Sequence, residues 1–227
     1  MSVDFRRALQ EERAAYLAER VRRLLGPFSG SEVALDSGCG TGALALALAP
    51  NVAEVVGADV REDYLDAARA AAPANVRFVE GDAMHLSFGY GTFDLACSHR
   101  VLHHLRRPEL AVSELARVTR PRGRIFIVDQ LGSIDPLRSL EMDRFERLRD
   151  ETHQRLLPDA DIRGYLDAND LVLVSSEITQ ERIDLEHRFD LAGTPEEERA
   201  RIRGPAPAAP YDIEVGWYVA EKPGPRA

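Results

Sequence analysis

The stretch Val33 to Gly42, VALDSGCGTG, decides how this chain folds. Val33, Ala34 and Leu35 read as a short buried strand that closes at Asp36. Gly38, Gly40 and Gly42 follow, and then ALALALA, a helical run. Glycines at such a turn let the backbone bend tightly and come close to a ligand, because no Cβ stands in the way. The free N–H groups at the helix start form a small positive pole. A strand–turn–helix of this kind takes an adenosine-type cofactor at the carboxyl edge of a parallel sheet.

Upstream, residues 4–25 carry Phe5, Leu9, Tyr16, Leu17, Val21, Leu24 and Leu25 near helical spacing, and Gly26-Pro27 ends the pattern. One amphipathic helix on the sheet edge is expected, with Phe5 or Tyr16 as further candidates to cover the site. Downstream, strands and helices alternate. Val33–Ser37 is the first strand and Ala43–Ala49 its helix; Glu54–Asp59 is the second strand, with a helix over Asp63–Ala72. Val76–Glu80 and Phe93–Ser98 are the third and fourth strands, and a helix covers about Pro108–Thr119. Pro121-Arg122-Gly123 reads as a turn into the fifth strand, Arg124–Asp129. This alternation predicts a parallel sheet covered by helices on both faces.

Past Asp129 the rhythm changes. Helices are expected over Pro136–Thr152 and Asp159 to about Ala168, then a strand over Leu171–Ile178. Glu181–Arg203 is polar and helical in parts, broken at Gly193-Thr194-Pro195; Gly204–Pro210 (GPAPAAP) is a proline-rich loop, and Tyr211–Glu221 the last strand. The last two strands suit an antiparallel pair at the sheet edge. A single domain over 1–227 is expected: a helix over 1–28, a cofactor-binding core over 30–130, a helical cap over 131–170, and C-terminal strands with a substrate-side segment over 171–222.

A chain of 227 residues with 44% apolar residues can bury a sizeable core. No apolar run approaches the ~20 residues that span a bilayer. The acidic, amphipathic start MSVDFRRALQEERAAY fits neither a signal nor a transit peptide. Two cysteines, Cys39 and Cys97, make no disulfide framework, so a reducing, cytoplasmic location is expected. The net charge of −9 argues against a phosphate-backbone partner, and so against nucleic acid. Basic charge is almost all arginine, Lys222 being the one lysine.

Two adenosine cofactors compete for the glycine turn. The dinucleotide signature is G-x-G-x-x-G, whereas Gly38-Cys39-Gly40-Thr41-Gly42 is G-x-G-x-G, with Asp36 before it. A carboxylate there repels a pyrophosphate and suits a cofactor with a cationic amine and no phosphate. VALDSGCGTG resembles the first motif of class I S-adenosylmethionine-dependent methyltransferases. Asp59 stands 17 residues beyond Gly42, near the ~20 expected of a ribose-binding acid; taken alone it could equally be a strand-end turn residue. Gly81-Asp82-Ala83 matches the family's adenine position, with Asp82 accepting from the adenine amino group and Ala83 offering its backbone N–H. FDLACSHRVLHHL matches the fourth-strand region. RVTRPRGRIFIVD matches the fifth-strand entry commonly written RVLKPGG, with Arg122 where a glycine is usual. RDETHQR is similar to the RDPSHVR segment of small-molecule enzymes of the quinone-biosynthesis type, its proline lost.

The resemblance implies a Rossmann-like, seven-stranded, mostly parallel sheet with the last strand antiparallel and a helical cap after the fifth. It implies S-adenosyl-L-methionine as cofactor, leaving S-adenosyl-L-homocysteine. Asp36, Gly38, Cys39, Gly40, Asp59, Val60, Asp82, Ala83 and Ser98 would hold it.

Methyl transfer from a sulfonium needs an acceptor held at near-attack distance and, for a hydroxyl or carbon acid, a base. His153, in the cap segment, is the first candidate, against a solvated charged helix face. His99 follows the fourth strand, either at the pocket or on the surface. Asp129, ending the fifth strand, could orient a substrate hydroxyl or a histidine, or cap a turn. His103 and His104 read as packing and hydrogen-bonding residues. His99 and His103 lack a third ligand at metal spacing, so no metal is expected. The N-P-P-Y type of motif is absent after the fourth strand. A small-molecule oxygen or carbon acceptor is therefore expected, with a nitrogen acceptor, a nicotinamide-dependent oxidoreductase and a non-catalytic S-adenosylmethionine-binding protein as rivals. The oligomeric state, a homodimer included, stays open.

Overall fold

A computed structural model of the chain describes residues 2–206 and 211–224; most of the expected proline-rich loop lies outside them. The elements run α1 (Val3–Leu25), β1 (Val33–Ser37), α2 (Ala43–Leu48), β2 (Glu54–Asp59), α3 (Glu62–Ala70) and β3 (Val76–Glu80). Then come β4 (Phe93–His99), α4 (Pro108–Val118), β5 (Thr119–Gln130), α5 (Pro136–Arg149) and α6 (Asp159–Asp167). β6 (Val172–Ile183), α7 (Leu185–Ala192), α8 (Glu196–Arg203) and β7 (Tyr211–Glu221) complete the chain.

All seven strands form one sheet in the order β3-β2-β1-β4-β5-β7-β6. β1 pairs in parallel with both β2 and β4, while β7 lies antiparallel between β5 and β6. The expected Rossmann-like sheet with an inserted antiparallel last strand is what the chain forms. Because successive strand residues point to opposite faces, neighbours feed different cores. Ala34, Leu95, Phe126 and Trp217 join one cluster with Leu17, Val21 and Leu25 of α1. Leu35, Ala96, Ile125 and Tyr218 join the other, with Val112 and Leu115 of α4 and Leu166 of α6. The chain leaves β1 towards β2 and β3, then crosses back to β4. That reversal opens a crevice at the carboxyl ends of β1 and β4, where open α/β sheets bind ligands.

Two boundaries differ from the sequence expectation. Pro121-Arg122-Gly123 is not a turn before the strand but an excursion within β5, which already begins at Thr119. Phe93 pairs with Thr119 and Leu95 with Arg124, so the residues between bulge out of register. Arg122 sits there in the left-handed region at φ 63°, its N–H bonded to the Lys222 carbonyl. β6 continues to Ile183 instead of stopping at Ile178, because Thr179 to Ile183 keep pairing with Val215 to Tyr211. Their polar character belongs to an edge strand half in water, which hides them from a hydrophobicity pattern.

Candidate active site

The glycine turn is held against the end of β2, where the N–H groups of Gly38 and Cys39 donate to the Ala58 carbonyl at 2.7 and 3.0 Å. Gly38 has φ +74°, and a Cβ there would stand 2.5 Å from a methyl of Val101. Gly40 has φ +53°, and its missing Cβ would meet nothing within 4 Å. The first glycine is needed for close packing and the second leaves room.

That room is part of a cavity of about 600 Å³, a volume usual for small-molecule and cofactor sites. Gly38, Cys39, Gly40, Asp59, Val60, Asp82 and Ala83 all lie on its wall. The Asp59 carboxylate accepts from the N–H of Gly40 at 2.8 Å and of Arg61 at 2.9 Å. It ties the glycine turn to the end of β2. Asp82 accepts from the N–H of Met84 at 2.8 Å. The buried Cys39 thiol is pushed far up by burial and the nearby carboxylates, so it stays protonated.

Asp36 and Ser98 are buried and do not reach this wall. The Asp36 carboxyl instead accepts from the N–H of Ala45 in the first turn of α2, at 3.0 Å. Burial pushes its pKa up to about 7, with Asp59 adding to the rise.

α1 packs on one face of the central strands, not on the sheet edge as expected from the sequence, and closes the cavity from that side. Arg6, Leu9, Gln10, Arg13, Tyr16 and Leu17 line it, and Gln10 accepts from the Thr41 hydroxyl at 2.7 Å. Of the two aromatic candidates, Tyr16 is on this wall and packs edge-on against Trp217; Phe5 is buried and lines a smaller space beside it. The end of the cavity away from Asp59 is polar. His99 and Arg100, at the end of β4, face Arg13 of α1 and Glu181 of β6. Glu181 accepts from Arg100 at 2.6 Å and lies 3.2 Å from Arg13. Burial, helped by the charge of Arg100, lowers the His99 pKa to about 3.

His104 forms the neighbouring wall. Its Nδ1 lies 3.0 Å from the Thr152 hydroxyl, which donates to Asp150 at 2.6 Å. With its one proton given to Asp150, the hydroxyl accepts from His104, so the imidazole carries its hydrogen on Nδ1. Nε2 is left as a lone-pair acceptor. Burial and the neighbouring His103 lower the His104 pKa to about 3, which keeps the ring neutral. The second carboxylate oxygen of Asp150 is buried without a hydrogen-bond partner, 4.0 Å from Nε2.

The structure does not bring His153 and Asp129 to the cavity wall. His153 is buried behind it, with Nε2 2.8 Å from Asp143, which also accepts from the N–H of Leu156. Asp129 is buried, and its carboxylate holds Nδ1 of His103. Burial raises that carboxyl, but the His103 charge and hydrogen bond outweigh it and leave it below the usual range. His103 packs against His104 with ring centres 4.1 Å apart and the planes tilted by 42°, and the ring of His153 lies 5.7 Å from that of His103. Asp129 and His153 thus form the support behind His104.

The cap contributes less than expected: Asp150 and Thr152 are its residues on the wall, while α1 supplies much of the cover. Arg13, Arg100, His104, Asp150 and Glu181 were not singled out as site residues in the sequence, although Asp150 and Thr152 lie within RDETHQR. Among the described residues no group of three metal-ligating side chains occurs, and no helix is long and apolar enough to cross a membrane.

Sheet order, glycine turn and strand-end acids together define a class I methyltransferase. The chain belongs to that family, the S-adenosylmethionine-dependent methyltransferases, as its match to the Bacillus subtilis methyltransferase YcgJ shows, and the model described as "Methyltransferase domain" matches residues 35–127. The uncharacterized methyltransferase YcgJ of Bacillus subtilis is 31% identical over 172 residues, covering 74% of this chain and 68% of YcgJ. The crystal structure of YcgJ superimposes with a TM-score of 0.82 at 23% identity, over 93% of this chain and all of that one. A demethylmenaquinone methyltransferase of Thermus thermophilus is 43% identical over 101 residues, 42% of this chain and 46% of that protein. The 27-O-demethylrifamycin SV methyltransferase of Amycolatopsis mediterranei is 32% identical over 149 residues, 63% and 54% respectively. The chain spans about half the length of these last two.

Proposed function

We propose that the chain moves the methyl group of S-adenosylmethionine to a hydroxyl or acidic carbon of a small molecule bound between α1, β4 and β6. The observation that carries this is one continuous cavity with two chemically different ends. The open space at Gly40 and the acids Asp59 and Asp82 fit a cofactor with ribose, adenine and no phosphate. The two carboxylates would oppose a pyrophosphate. When bound, S-adenosylmethionine supplies an electrophilic methyl on a sulfonium, a good leaving group. Asp59 would accept from the ribose hydroxyls, and Asp82 from the adenine amino group.

At the other end His104 takes the part first expected of His153. With its pKa at about 3 the unprotonated Nε2 does not ionise a free hydroxyl, but it can take the proton as methylation makes the acceptor atom strongly acidic, and Thr152 and Asp150 hold the ring in the required tautomer. Asp129 acts through His103 as a positioning residue. His99 adds a neutral wall beside the acceptor.

The test has two arms. Calorimetry with S-adenosylhomocysteine and with NADH should show binding of the first alone; NADH binding in its place overturns the cofactor assignment. Transfer of labelled methyl from S-adenosylmethionine to a panel of hydroxylated and carbonyl-activated small molecules then tests catalysis. The His104→Asn variant should keep cofactor affinity and lose turnover by roughly 10²-fold or more. Full turnover in that variant would place the base elsewhere.

A further inference from the structure

Beside His104 a second, smaller chamber of about 60 Å³ adjoins the main cavity. The two share Arg6, Leu9, Arg13, Arg100, His104 and Asp150 as wall. Arg149 of α5 and Arg188 of α7 complete a ring of five arginines around this space. Three carboxylates answer them. Glu181 serves both Arg13 and Arg100, Asp150 lies 3.5 Å from Arg6, and Glu146 pairs with Arg149 at 2.9 Å. Two positive charges remain unmatched.

Two of the five, Arg188 and Arg6, keep donor nitrogens without a partner, although Arg6 also pairs through Nη2 with Asp150. Arg188 is half-buried, and its guanidinium makes no ion pair or hydrogen bond among the described residues. The residues outside that set carry no acidic side chain. Its helix is anchored by Leu185 and Phe189 in a small core with Phe145 and Ile202, so Arg188 is carried to the chamber by a packed element. Arg6, on the wall of both cavities, has a buried Nε without a partner. An unpaired guanidinium partly withdrawn from water among like charges is unfavourable. Burial, with Arg149 and Arg13 nearby, accordingly lowers the Arg188 pKa to about 9. A guanidinium's planar fork matches the two oxygens of a carboxylate or phosphate.

We propose that this chamber receives an anionic group of the methyl acceptor, a carboxylate or a phosphate monoester, clamped by Arg188 and Arg6. The acceptor is thereby an acid whose charged end lies in the chamber and whose reacting atom lies beside His104. The second half of this statement rests on the methyl-transfer reading above. The anion site itself does not.

The chamber volume suits one such group, since a single water needs only ~10–15 Å³ on a comparable measure. Specificity follows from the same charges: a neutral analogue would leave both donors unpaired, whereas an anion satisfies them.

The experiment uses the full chain with and without saturating S-adenosylhomocysteine, at constant ionic strength set with sodium chloride. Benzoate, phenyl phosphate and neutral benzamide serve as probes, read by thermal shift and calorimetry. Benzoate or phenyl phosphate should raise Tm with dose and benzamide should not; whichever anion binds tighter identifies the source. Arg188→Met should weaken the preferred anion at least tenfold, leave S-adenosylhomocysteine affinity unchanged, and hold or raise Tm without anion. Arg188→Lys, which keeps the charge but loses the fork, should fall between. An equal response to benzamide and the anions, or undiminished anion binding by Arg188→Met, overturns the proposal. The wild-type comparison decides even if that variant fails to fold. Should S-adenosylhomocysteine not bind while the anions do, the methyl-transfer reading falls and the anion site stands.

Discussion

The hydroxyl of Thr152 accepts from Nδ1 of His104 at 3.0 Å, and that single contact sets which ring nitrogen carries the hydrogen and which keeps its lone pair. Thr152→Val keeps the side-chain volume and removes the acceptor. We expect nitrogen-15 spectra of the histidines to show one dominant neutral tautomer for His104 in the wild type and a mixture in the variant. S-adenosylhomocysteine affinity should not change. A ring already mixed in the wild type would remove the basis for His104 as the base.

Asp59 bonds to the N–H groups of Gly40 and Arg61 at 2.8 and 2.9 Å. Asp59→Ala removes the acid proposed for the ribose and frees the glycine turn. Losing hydrogen bonds to a charged group costs about 1.5–3 kcal/mol, so Kd for S-adenosylhomocysteine should rise from about tenfold to over a hundredfold. Calorimetry measures this directly, and an unchanged Kd would mean the acid only shapes the turn.

His99 is neutral in the fold, its pKa lowered to about 3 by burial and Arg100, against 6.5 for an ordinary histidine. Below pH 6.5 the unfolded chain binds a proton that the folded chain refuses until near pH 3, so stability is lost as pH falls through that window. His99→Asn removes the proton and with it this loss. Relative to wild type, the variant should therefore gain Tm steadily from pH 6.5 towards pH 4, and a constant difference would contradict the burial argument.

Asp36 has the opposite sign. Its pKa is raised from 3.8 to about 7 by burial and by Asp59, so its cost grows as pH rises from about 4 through 7. Asp36→Asn can still accept from the N–H of Ala45. Its stability relative to wild type should increase between pH 5 and pH 8 in urea titrations, with cofactor binding retained because the side chain does not reach the cavity wall. Lost binding at unchanged stability would return Asp36 to the role expected from the sequence.

Arg122 holds a left-handed backbone at φ 63°, which costs a residue with a Cβ about 1–2 kcal/mol. Arg122→Gly removes that cost and adds unfolded-chain entropy of about 0.5–1 kcal/mol. A small net stabilisation, up to about 1.5 kcal/mol by urea denaturation, is expected.

What the sequence by itself determined was local and periodic. VALDSGCGTG carries its own conformation, because positive φ needs glycine and short apolar runs alternating with helices leave few arrangements besides a covered parallel sheet. Asp59 at the end of β2 and Asp82 just beyond β3 follow from the same alternation, and with them the end of the cavity proposed for the cofactor. The end proposed for the acceptor was not legible, for a physical reason. Arg13, His104, Asp150, Glu181 and Arg188 come from α1, the turn after β4, the end of α5, an edge strand and α7. Each is an ordinary solvated-looking residue in its own segment. Only burial against one another separates them from surface charge, and only packing turns His153 towards Asp143 and places His104 on the cavity wall. Asp36 teaches the same lesson within the motif: its identity was plain, but whether its carboxyl faces a ligand or the first turn of α2 was decided by the tertiary structure.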